Sequence, residues 1–411
     1  MARPPETPLR DVRVLELGSF IAGPFAGQLL GDLGAEVVKV EPPGDGDPMR
    51  RWGVCLPPTA GGAPRSVWWP AIARNKRSVA IDLRRPEGAA LVASIARSCD
   101  VVLENFRPGT LESFGLGYDA LAAANPGLVM VHVSGFGRSG PRAAEAGFGS
   151  IGEAAGGIRH TTGDPDRLPS RAGVSLGDSL AALFAVIGTL SALHERARSG
   201  RGQEVDVAIA ESVFALMEST VADYELAGVV RGRSGGVLPG VSPSNAYPTA
   251  DGDLVVIAAN ADAVYARLTG AMQRSDLARD PRFADHAARG VNMAELDELI
   301  AAWTATLSTD ALLERLRAHA VPAGRIQTAA DLSRDPQLAA RDMVVRLAAG
   351  FDRPVAMAGV VPKLTRTPGQ VAAVGPELGR HTDEVLRALA GLDDAALDGL
   401  HAAGVIEGPR A

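Results

Sequence analysis

The residues best suited to chemistry are a Gly-Asp-Ser turn, Gly177-Asp178-Ser179, followed by a long apolar run. An aspartate at the start of a helix commonly caps it, because its carboxylate accepts hydrogen bonds from unpaired N–H groups of the first turn. The positive end of the helix dipole also keeps such a carboxylate ionised and able to attack an electrophile. Asp178 could therefore cap the helix or act as a nucleophile, and the motif alone leaves both roles open.

Strands and helices alternate regularly before this turn. This alternation predicts an α/β fold with a doubly wound, parallel-sheet (Rossmann-like) domain. Ligands of such sheets bind beyond the carboxyl ends of the strands, which here lead into residues 18–21, 105–108 and 135–137. The predicted strands are 12–17, 36–41, 78–83, 100–105 and 128–134, and the predicted helices are 24–33, 86–97 and 110–124.

The pattern changes after the apolar helix that follows Asp178. A strand at 203–209 and a helix at 211–227 lead to a hairpin around Asp251-Gly252, helices at 293–306 and 309–320, two extended segments within 343–364 and helices at 381–390 and 394–403. We therefore predict a large domain over 1–205 and linkers with a smaller α+β domain over 206–344. Residues 345–411 are predicted to return to the large domain.

Composition excludes several classes of protein. A net charge of −7 argues against a nucleic-acid partner. The chain has two cysteines, Cys55 and Cys99, and scattered histidines, so we predict no disulfide framework and no metal site. No apolar leader follows Met1, and the run Leu180–Leu193 is too short to span a membrane, which predicts a buried core helix. A cytoplasmic protein without a membrane partner is expected.

The glycine-rich turn after the first strand leaves a dinucleotide-binding oxidoreductase as an alternative. Gly18, Gly23 and Gly27 do not follow the G-x-G-x-x-G spacing that cradles a pyrophosphate. Glu41 takes the place of a ribose-binding acid but does not restore the pattern. The sequence therefore gives this alternative little support.

Seven stretches, taken in order, carry a family resemblance. They are VRVLELGSFIAGPFAGQLLGDLGAEVVKVEPPGDGD at 12–47, NKRSVAIDL at 75–83, ENFRPGTLESFGLGYDAL at 104–121, NPGLVMVHVSGFGRSGP at 125–141, GFGSIGEAAGG at 147–157, GVSLGDSLAALFAVIGTLSALHERARSGRGQEVDV at 173–207 and LGRHTDEVL at 378–386. Together they resemble the class III CoA-transferase family, and among its members the succinyl-CoA:dicarboxylate (malate or citramalate) enzymes. The resemblance implies a Rossmann-like domain, a smaller domain and an interlocked homodimer.

The resemblance also implies a mechanism. Asp178 matches the family's aspartate, which attacks an acyl-CoA thioester to form an anhydride and then an aspartyl-CoA thioester. CoA is thus a substrate, and no tightly bound cofactor is expected. The anhydride needs protection from water and N–H donors for its oxyanion. Gly156 and Gly157 are candidate donors, although both suit the end of a helix equally well.

Two clusters resemble the family's CoA contacts. Cations and an apolar slot are what CoA requires. Pro42 stands where relatives of the formyl-CoA type carry a basic residue, so that phosphate contact is absent or replaced. The two clusters are Asn75, Lys76 and Arg77, and Asn105, Phe106 and Arg107; with Phe20 and Ile21 after the first strand they are the candidate CoA-binding residues.

Three further residues are expected to bind the acyl substrates. Alpha-methylacyl-CoA racemases resemble this family but carry a histidine where this chain has Phe148, and phenylalanine cannot move a proton. Transfer is therefore favoured over the alternatives, a racemase or a non-catalytic acyl-CoA-binding protein. A second carboxylate on the acceptor suits a bidentate arginine. Arg159 and Arg171 flank the Asp178 turn in sequence and are the candidates, although both also suit helix-end or loop charges.

Overall fold

The computed structural model describes residues 6–409, so the predicted lack of a leader at Met1–Pro5 lies outside the described residues. The chain forms two compact units. The first contains residues up to 158, 172–221 and 336 onward, and the second contains 159–171 and 222–335. The first unit thus continues past the predicted boundary at 205 and resumes before the one at 344.

Strands are short and are numbered in chain order. They are β1 (Arg13–Glu16), β2 (Glu36–Glu41), β3 (Cys55–Leu56), β4 (Arg65–Ser66), β5 (Lys76–Ile81), β6 (Val101–Glu104), β7 (Val129–Ser134), β8 (Glu204–Ala208), β9 (Ser244–Pro248), β10 (Leu254–Ala258), β11 (Ala323–Arg325), β12 (Val344–Leu347), β13 (Val355–Ala358) and β14 (Ile406–Glu407).

Helices connect most of these strands. They are α1 (Ala22–Asp32), α2 (Trp69–Ile72), α3 (Pro86–Ala96), α4 (Thr110–Ser113), α5 (Tyr118–Ala124), α6 (Gly149–Ala155), α7 (Ile158–Thr161), α8 (Leu176–Ser199), α9 (Ile209–Phe214), α10 (Thr220–Ala227), α11 (Asp262–Ala271), α12 (His286–Val291), α13 (Met293–Thr304), α14 (Thr309–Ala318), α15 (Ala329–Leu332), α16 (Pro336–Ala340), α17 (Thr382–Ala390) and α18 (Asp394–Ala402).

The first unit is built on a seven-stranded sheet of order β14-β5-β2-β1-β6-β7-β8. All neighbours pair in parallel except β14, which runs antiparallel to β5. The chain moves from β1 to one side of the sheet and returns through β6 to the other side. This reversal confirms the predicted doubly wound sheet and puts its ligand crevice between β1 and β6.

Both faces of this sheet are covered, which explains why its strands are predominantly apolar. Successive side chains of a strand point to opposite faces. Leu15 thus packs in one core with α3 and α17, whereas Val14 packs in the other with α1 and α8. The strands are rich in Val, Ile and Leu because the sheet packs against a hydrophobic core on each of its faces.

Two predicted helices are interrupted. The helix predicted at 110–124 is two short ones, α4 and α5, because Gly115 between them takes a φ of +72°, which an α-helix cannot contain. The helix predicted at 211–227 is likewise split into α9 and α10 near Glu218, whose φ is +51°. Apolar periodicity alone does not reveal such left-handed residues.

The second unit is α+β, as predicted. Strands β9 and β10 form the expected antiparallel hairpin, with Gly252 in its turn at a φ of +81° and β11 on the other edge of β10. Helices α11, α13 and α14 supply Leu268, Ile300 and Leu316 to a core shared with the apolar side of this sheet. It is a separate hydrophobic core from those of the first unit.

Helix α8 is longer than the apolar run that predicted it. It has 24 residues, and by length and composition alone it is able to cross a membrane, contrary to the prediction from Leu180–Leu193. Half of its most apolar window is buried within the protein. Its alanines Ala181, Ala182 and Ala185 pack in the sheet core, so α8 serves as a core helix of the first unit.

Candidate active site

The crevice at the centre of the sheet brings together two of the predicted segments. The side-chain amide of Asn105, just after β6, donates to the Ser19 carbonyl (2.9 Å) and accepts from the Ser19 N–H (2.7 Å) after β1. A Cβ on Gly18 would lie 2.7 Å from the Asn105 Oδ1, so a side chain there would displace the Asn105 amide. Asn105 therefore holds the first loop in place.

Phe20 adopts a conformation that phenylalanine rarely takes. Its φ is +64°, which costs about 1–3 kcal/mol for a residue other than glycine. Its N–H donates to the Asp47 Oδ1 (3.2 Å), and its ring packs edge-on against Trp52 with centroids 5.6 Å apart. The next residue, Ile21, is buried. The protein thus stores strain in the loop predicted to contact CoA.

A buried network of charges lies beneath this loop. The Lys39 ammonium contacts the Glu16 Oε1 (3.0 Å) and the Asp47 Oδ2 (2.8 Å) and donates to the Gly18 carbonyl (2.7 Å). Burial opposes the charge of Lys39, but the carboxylates of Asp47, Glu16 and Glu41 outweigh it and raise the pKa of this ammonium. Asp47 in turn holds the N–H of Phe20, so the network supports the strained loop.

Replacing Lys39 with methionine should destabilise the protein by about 3–5 kcal/mol, because the buried Asp47 loses its cation and the buried Glu16 loses one of its two. Urea unfolding followed by tryptophan fluorescence measures the free energy of unfolding. Lys363, an exposed lysine, is the matched control, and its change to methionine should cost less than about 0.5 kcal/mol. Equal stability of the two variants would contradict the importance given to the Lys39 pairs.

The predicted Asn75-Lys76-Arg77 cluster makes contacts within the protein. The Asn75 side chain bonds Asp32 and the backbone of residues 370, 372 and 373. The Lys76 ammonium is buried, where it forms an ion pair with Glu16 (2.7 Å) and donates to the Pro24 carbonyl (2.6 Å). Burial lowers its pKa to about 8. Arg77 pairs with Glu36 and Glu384. Their contact with CoA stays a prediction, and in this structure they tie segments of the first unit together.

The segment after β6 offers more accessible groups. The Phe106 N–H donates to the Glu104 Oε2 (2.6 Å), and the Phe106 ring packs at the edge of a sheet core. The Arg107 side chain is exposed beside it. Of the three basic residues predicted to contact CoA, Arg107 is the one most open to a phosphate.

Asp178 lies in the first turn of α8. The helix begins at Leu176 with Ser175 at the N-cap, so Asp178 is the third helical residue and not its N-cap. A carboxylate in a first turn is stabilised by the helix dipole. The side chain is partly exposed and remains within reach of a substrate.

Helix α6 approaches the Asp178 turn through glycines. A Cβ on Gly149 would lie 2.3 Å from the Asp178 Oδ2, and a Cβ on Gly177 would lie 2.9 Å from the Gly149 carbonyl oxygen. Further along the same face of α6, Gly152 and Gly156 meet α9 just as closely, at Ile209 and Val213. Gly149 thus forms a tight seat for the Asp178 carboxylate, and the other glycines let α6 lie close to α8 and α9.

The carboxyl edge of the sheet fixes where this seat lies. Gly135, directly after β7, contacts Gly147 at the start of the α6 segment, and the Gly135 carbonyl accepts from the Ala210 N–H (3.1 Å) after β8. Helix α8 leads back into β8, and a helix that connects parallel strands runs from the carboxyl edge of the sheet to the amino edge, so α8 begins at this same edge. Asp178 is therefore at the edge where doubly wound sheets bind ligands.

The backbone N–H groups of Gly156 and Gly157 donate hydrogen bonds to carbonyls at the C-terminal end of α6. The Gly156 N–H donates to the Gly152 carbonyl (2.8 Å), and the Gly157 N–H donates to the Ala154 carbonyl (3.3 Å). Gly157 takes a φ of +98°, which suits a residue just past a helix. These contacts favour the helix-end interpretation over the oxyanion one.

The three residues predicted to bind the acyl substrates do not belong to one segment of the structure. Phe148 precedes Gly149 at the N-cap of α6, and its ring is 68% exposed. Arg159 is half-buried and Arg171 is exposed, and both belong to the second unit, whereas Asp178 belongs to the first. Their approach to the acceptor stays a prediction. No group of metal-ligating side chains is found within residues 6–409.

Sequence reasoning missed the glycine seat and the Lys39 network. Glycine destabilises helices, so three glycines within α6 and its C-cap signal a close contact on that face. That signal was present at Gly149, Gly152 and Gly156. The ion pairs of Lys39 had no local signal, since their partners come from other segments.

Comparison with known proteins gives matches over nearly the whole chain. A model of CoA-transferase family III matches residues 9–382. The chain is 56% identical over 404 residues to a succinyl-CoA–D-citramalate CoA-transferase of Chloroflexus aurantiacus, covering 98% of this chain and 99% of that protein. It is 39% identical to the beta subunit of a succinyl-CoA–L-malate CoA-transferase of the same organism, covering 97% and 98%. A solved CAIB/BAIF family protein from Brucella suis has a TM-score of 0.83 at 35% identity, covering 93% and 100%.

Proposed function

The chain belongs to CoA-transferase family III, an enzyme family whose substrates are CoA thioesters, and we propose that it moves CoA from succinyl-CoA to a small dicarboxylate or hydroxydicarboxylate. The observation that carries the catalytic part is the Asp178 carboxylate, seated on Gly149 in the first turn of α8. The relatives named for succinyl-CoA and for citramalate or malate support the choice of donor and acceptor.

Asp178 is the proposed nucleophile. Its carboxylate oxygen forms a bond to the thioester carbonyl carbon, the C–S bond breaks, and the electron pair leaves with the CoA thiolate. The thiolate then attacks the Asp178 carbonyl carbon of the anhydride, which releases succinate and leaves an aspartyl-CoA thioester. The acceptor carboxylate repeats these two steps in reverse order, so that Asp178 is regenerated and the acceptor carries CoA.

The surroundings of Asp178 suit this chemistry. The first turn of α8 favours the ionised carboxylate at the start and end of the cycle. Gly149 on α6 leaves room for the carboxylate itself, which a Cβ at that position would meet at 2.3 Å. The CoA moiety is proposed to lie along the β1–β6 crevice, over Phe20 and Ile21 and toward Arg107, with Asn105 and Phe106 shaping its wall.

A mass-resolved acceptor panel tests this function. Succinyl-CoA is offered with malate, citramalate, glutarate, mesaconate and a monocarboxylate such as butyrate, and new thioesters are identified by mass. We expect dicarboxylates to give CoA esters with release of one succinate per ester. Hydrolysis alone, or transfer to butyrate with equal kcat/KM, would refute the proposed acceptor class.

Arg171 is the proposed partner of the second carboxylate of the acceptor, with Arg159 as the other candidate. Because lysine cannot make the bidentate contact, Arg171→Lys should raise the KM for dicarboxylate acceptors about tenfold and leave that for monocarboxylates unchanged. Steady-state kinetics with both acceptor types measures this. Arg167→Lys, an exposed change in the same loop, is the control. Equal effects on both acceptor types would remove Arg171 from this role.

A second copy of the chain is the proposed partner. Leu183, Ile187 and Leu190 form a stripe on one face of α8 and are 46%, 58% and 37% exposed. Such an apolar face on a core helix is typical of an interaction surface. Light scattering should give twice the 42.5 kDa of one chain, and a monomer at micromolar concentration would contradict the proposal.

A further inference from the structure

The carboxylate of Glu153 is a buried charge that the mechanism above does not use. Glu153 lies on α6, one turn after Gly149 and on the same face, and it is 1% exposed. An ionised group at such a position is costly unless it is hydrogen-bonded. Its Oε1 accepts a hydrogen bond from the backbone N–H of Gly177 (3.3 Å) in the first turn of α8.

The first turn of α8 explains why this bond matters. Its N–H groups have no partners within the helix and must find them elsewhere. The Leu176 N–H donates to the Val174 carbonyl, and the regular bonds of the helix start with the Ser179 N–H, which donates to the Ser175 carbonyl. The Ser175 side chain makes no capping hydrogen bond. Glu153 thus supplies, from another helix, the acceptor that a capping side chain normally supplies.

The Gly177 backbone is confined from two sides. A Cβ on Gly177 would lie 3.2 Å from the Glu153 Cγ and 2.9 Å from the Gly149 carbonyl oxygen. The residue that carries the proposed nucleophile follows directly. Any movement of Gly177 therefore moves the Cα of Asp178 and changes the direction from which its carboxylate meets the thioester.

We propose that Glu153 is a positioning residue, whose carboxylate caps α8 through the Gly177 N–H and so fixes Asp178 for attack. This inference rests on the proposed function of Asp178. Misplacement of a reacting group by about 1 Å costs on the order of 100-fold in rate. The role requires a hydrogen-bond acceptor and not a charge, so a glutamine should replace Glu153 but an apolar side chain of similar size should not.

The half-reaction with succinyl-CoA alone tests this role, because it needs no acceptor. Wild type, Glu153→Leu, Glu153→Met and Glu153→Gln are mixed with succinyl-CoA, quenched at short times, and the CoA-bound enzyme is quantified by intact mass. We expect Leu and Met to slow formation of the thioester about 10- to 100-fold. Glu153→Gln should stay within about threefold of wild type, with the succinyl-CoA concentration at half-maximal rate unchanged in all variants.

Several results would overturn the proposal. Leu and Met variants that react as fast as wild type would show that the bond has no kinetic role. A Gln variant as slow as the Leu variant would show that the acceptor is not what matters, and a change confined to half-saturation would indicate substrate binding instead. Glu145→Leu, an exposed change before α6, is the control and should react normally. A wild-type enzyme that forms no thioester would instead refute the proposed function of Asp178.

Discussion

Asp178→Asn should abolish CoA transfer while leaving CoA binding within about threefold of wild type. Asparagine keeps the size and hydrogen-bonding shape of the side chain, but its amide is a far weaker nucleophile than a carboxylate. Loss of a nucleophile that forms a covalent intermediate costs on the order of 10⁴-fold or more in kcat. Transfer from succinyl-CoA, followed by mass, and calorimetric titration with CoA measure the two effects separately.

The matched control for this variant is Asp119→Asn. Asp119 also lies in the first turn of a helix, α5, but it is exposed and distant in sequence from the site. Its change should leave kcat within about twofold of wild type, since surface substitutions have small effects. If Asp178→Asn retained more than one hundredth of wild-type turnover, another group would have to be the nucleophile.

The sheet could be predicted from sequence because its signal is local. Each central strand is an apolar run such as VVKV or VMVHV, and each run is apolar because both faces of the sheet are covered. The parallel, doubly wound arrangement followed from the alternation of strands with helices. The breaks at Gly115 and Glu218 could not be predicted this way, because a left-handed residue does not disturb the apolar pattern around it.

The site was only partly accessible to such reasoning. The Gly-Asp-Ser turn marked Asp178, but the helix starts earlier, at Leu176, and the Gly177 N–H of its first turn donates to a carboxylate from α6. Lys76 was predicted to bind a phosphate of CoA, yet its ammonium forms a buried ion pair with Glu16, which lies 60 residues earlier in the chain. Charge in a sequence does not show whether the group faces solvent or a buried partner.

Gly149→Ala should remove most of the activity and little of the stability. The new Cβ would lie 2.3 Å from the Asp178 Oδ2 and 2.7 Å from its Cγ. Both distances are too short for atoms that are not bonded to each other. The Asp178 carboxylate is the end of a side chain, so it can turn away while α6 and α8 keep their positions. We expect kcat to fall on the order of 100-fold, because the nucleophile no longer points at the thioester. The free energy of unfolding should change by less than about 1 kcal/mol.

Two other glycines make this prediction specific. A Cβ on Gly156 would meet the Ala210 carbonyl oxygen and the Val213 Cβ, both at 2.6 Å, where backbone must move. Gly156→Ala should therefore lower stability by about 1–3 kcal/mol. A Cβ on Gly173 would have no atom within 4 Å, so Gly173→Ala should change neither kcat nor the free energy of unfolding. A Gly149→Ala variant with full kcat would mean that Asp178 does not react from its seat on α6, because only a carboxylate displaced from there avoids the new methyl group.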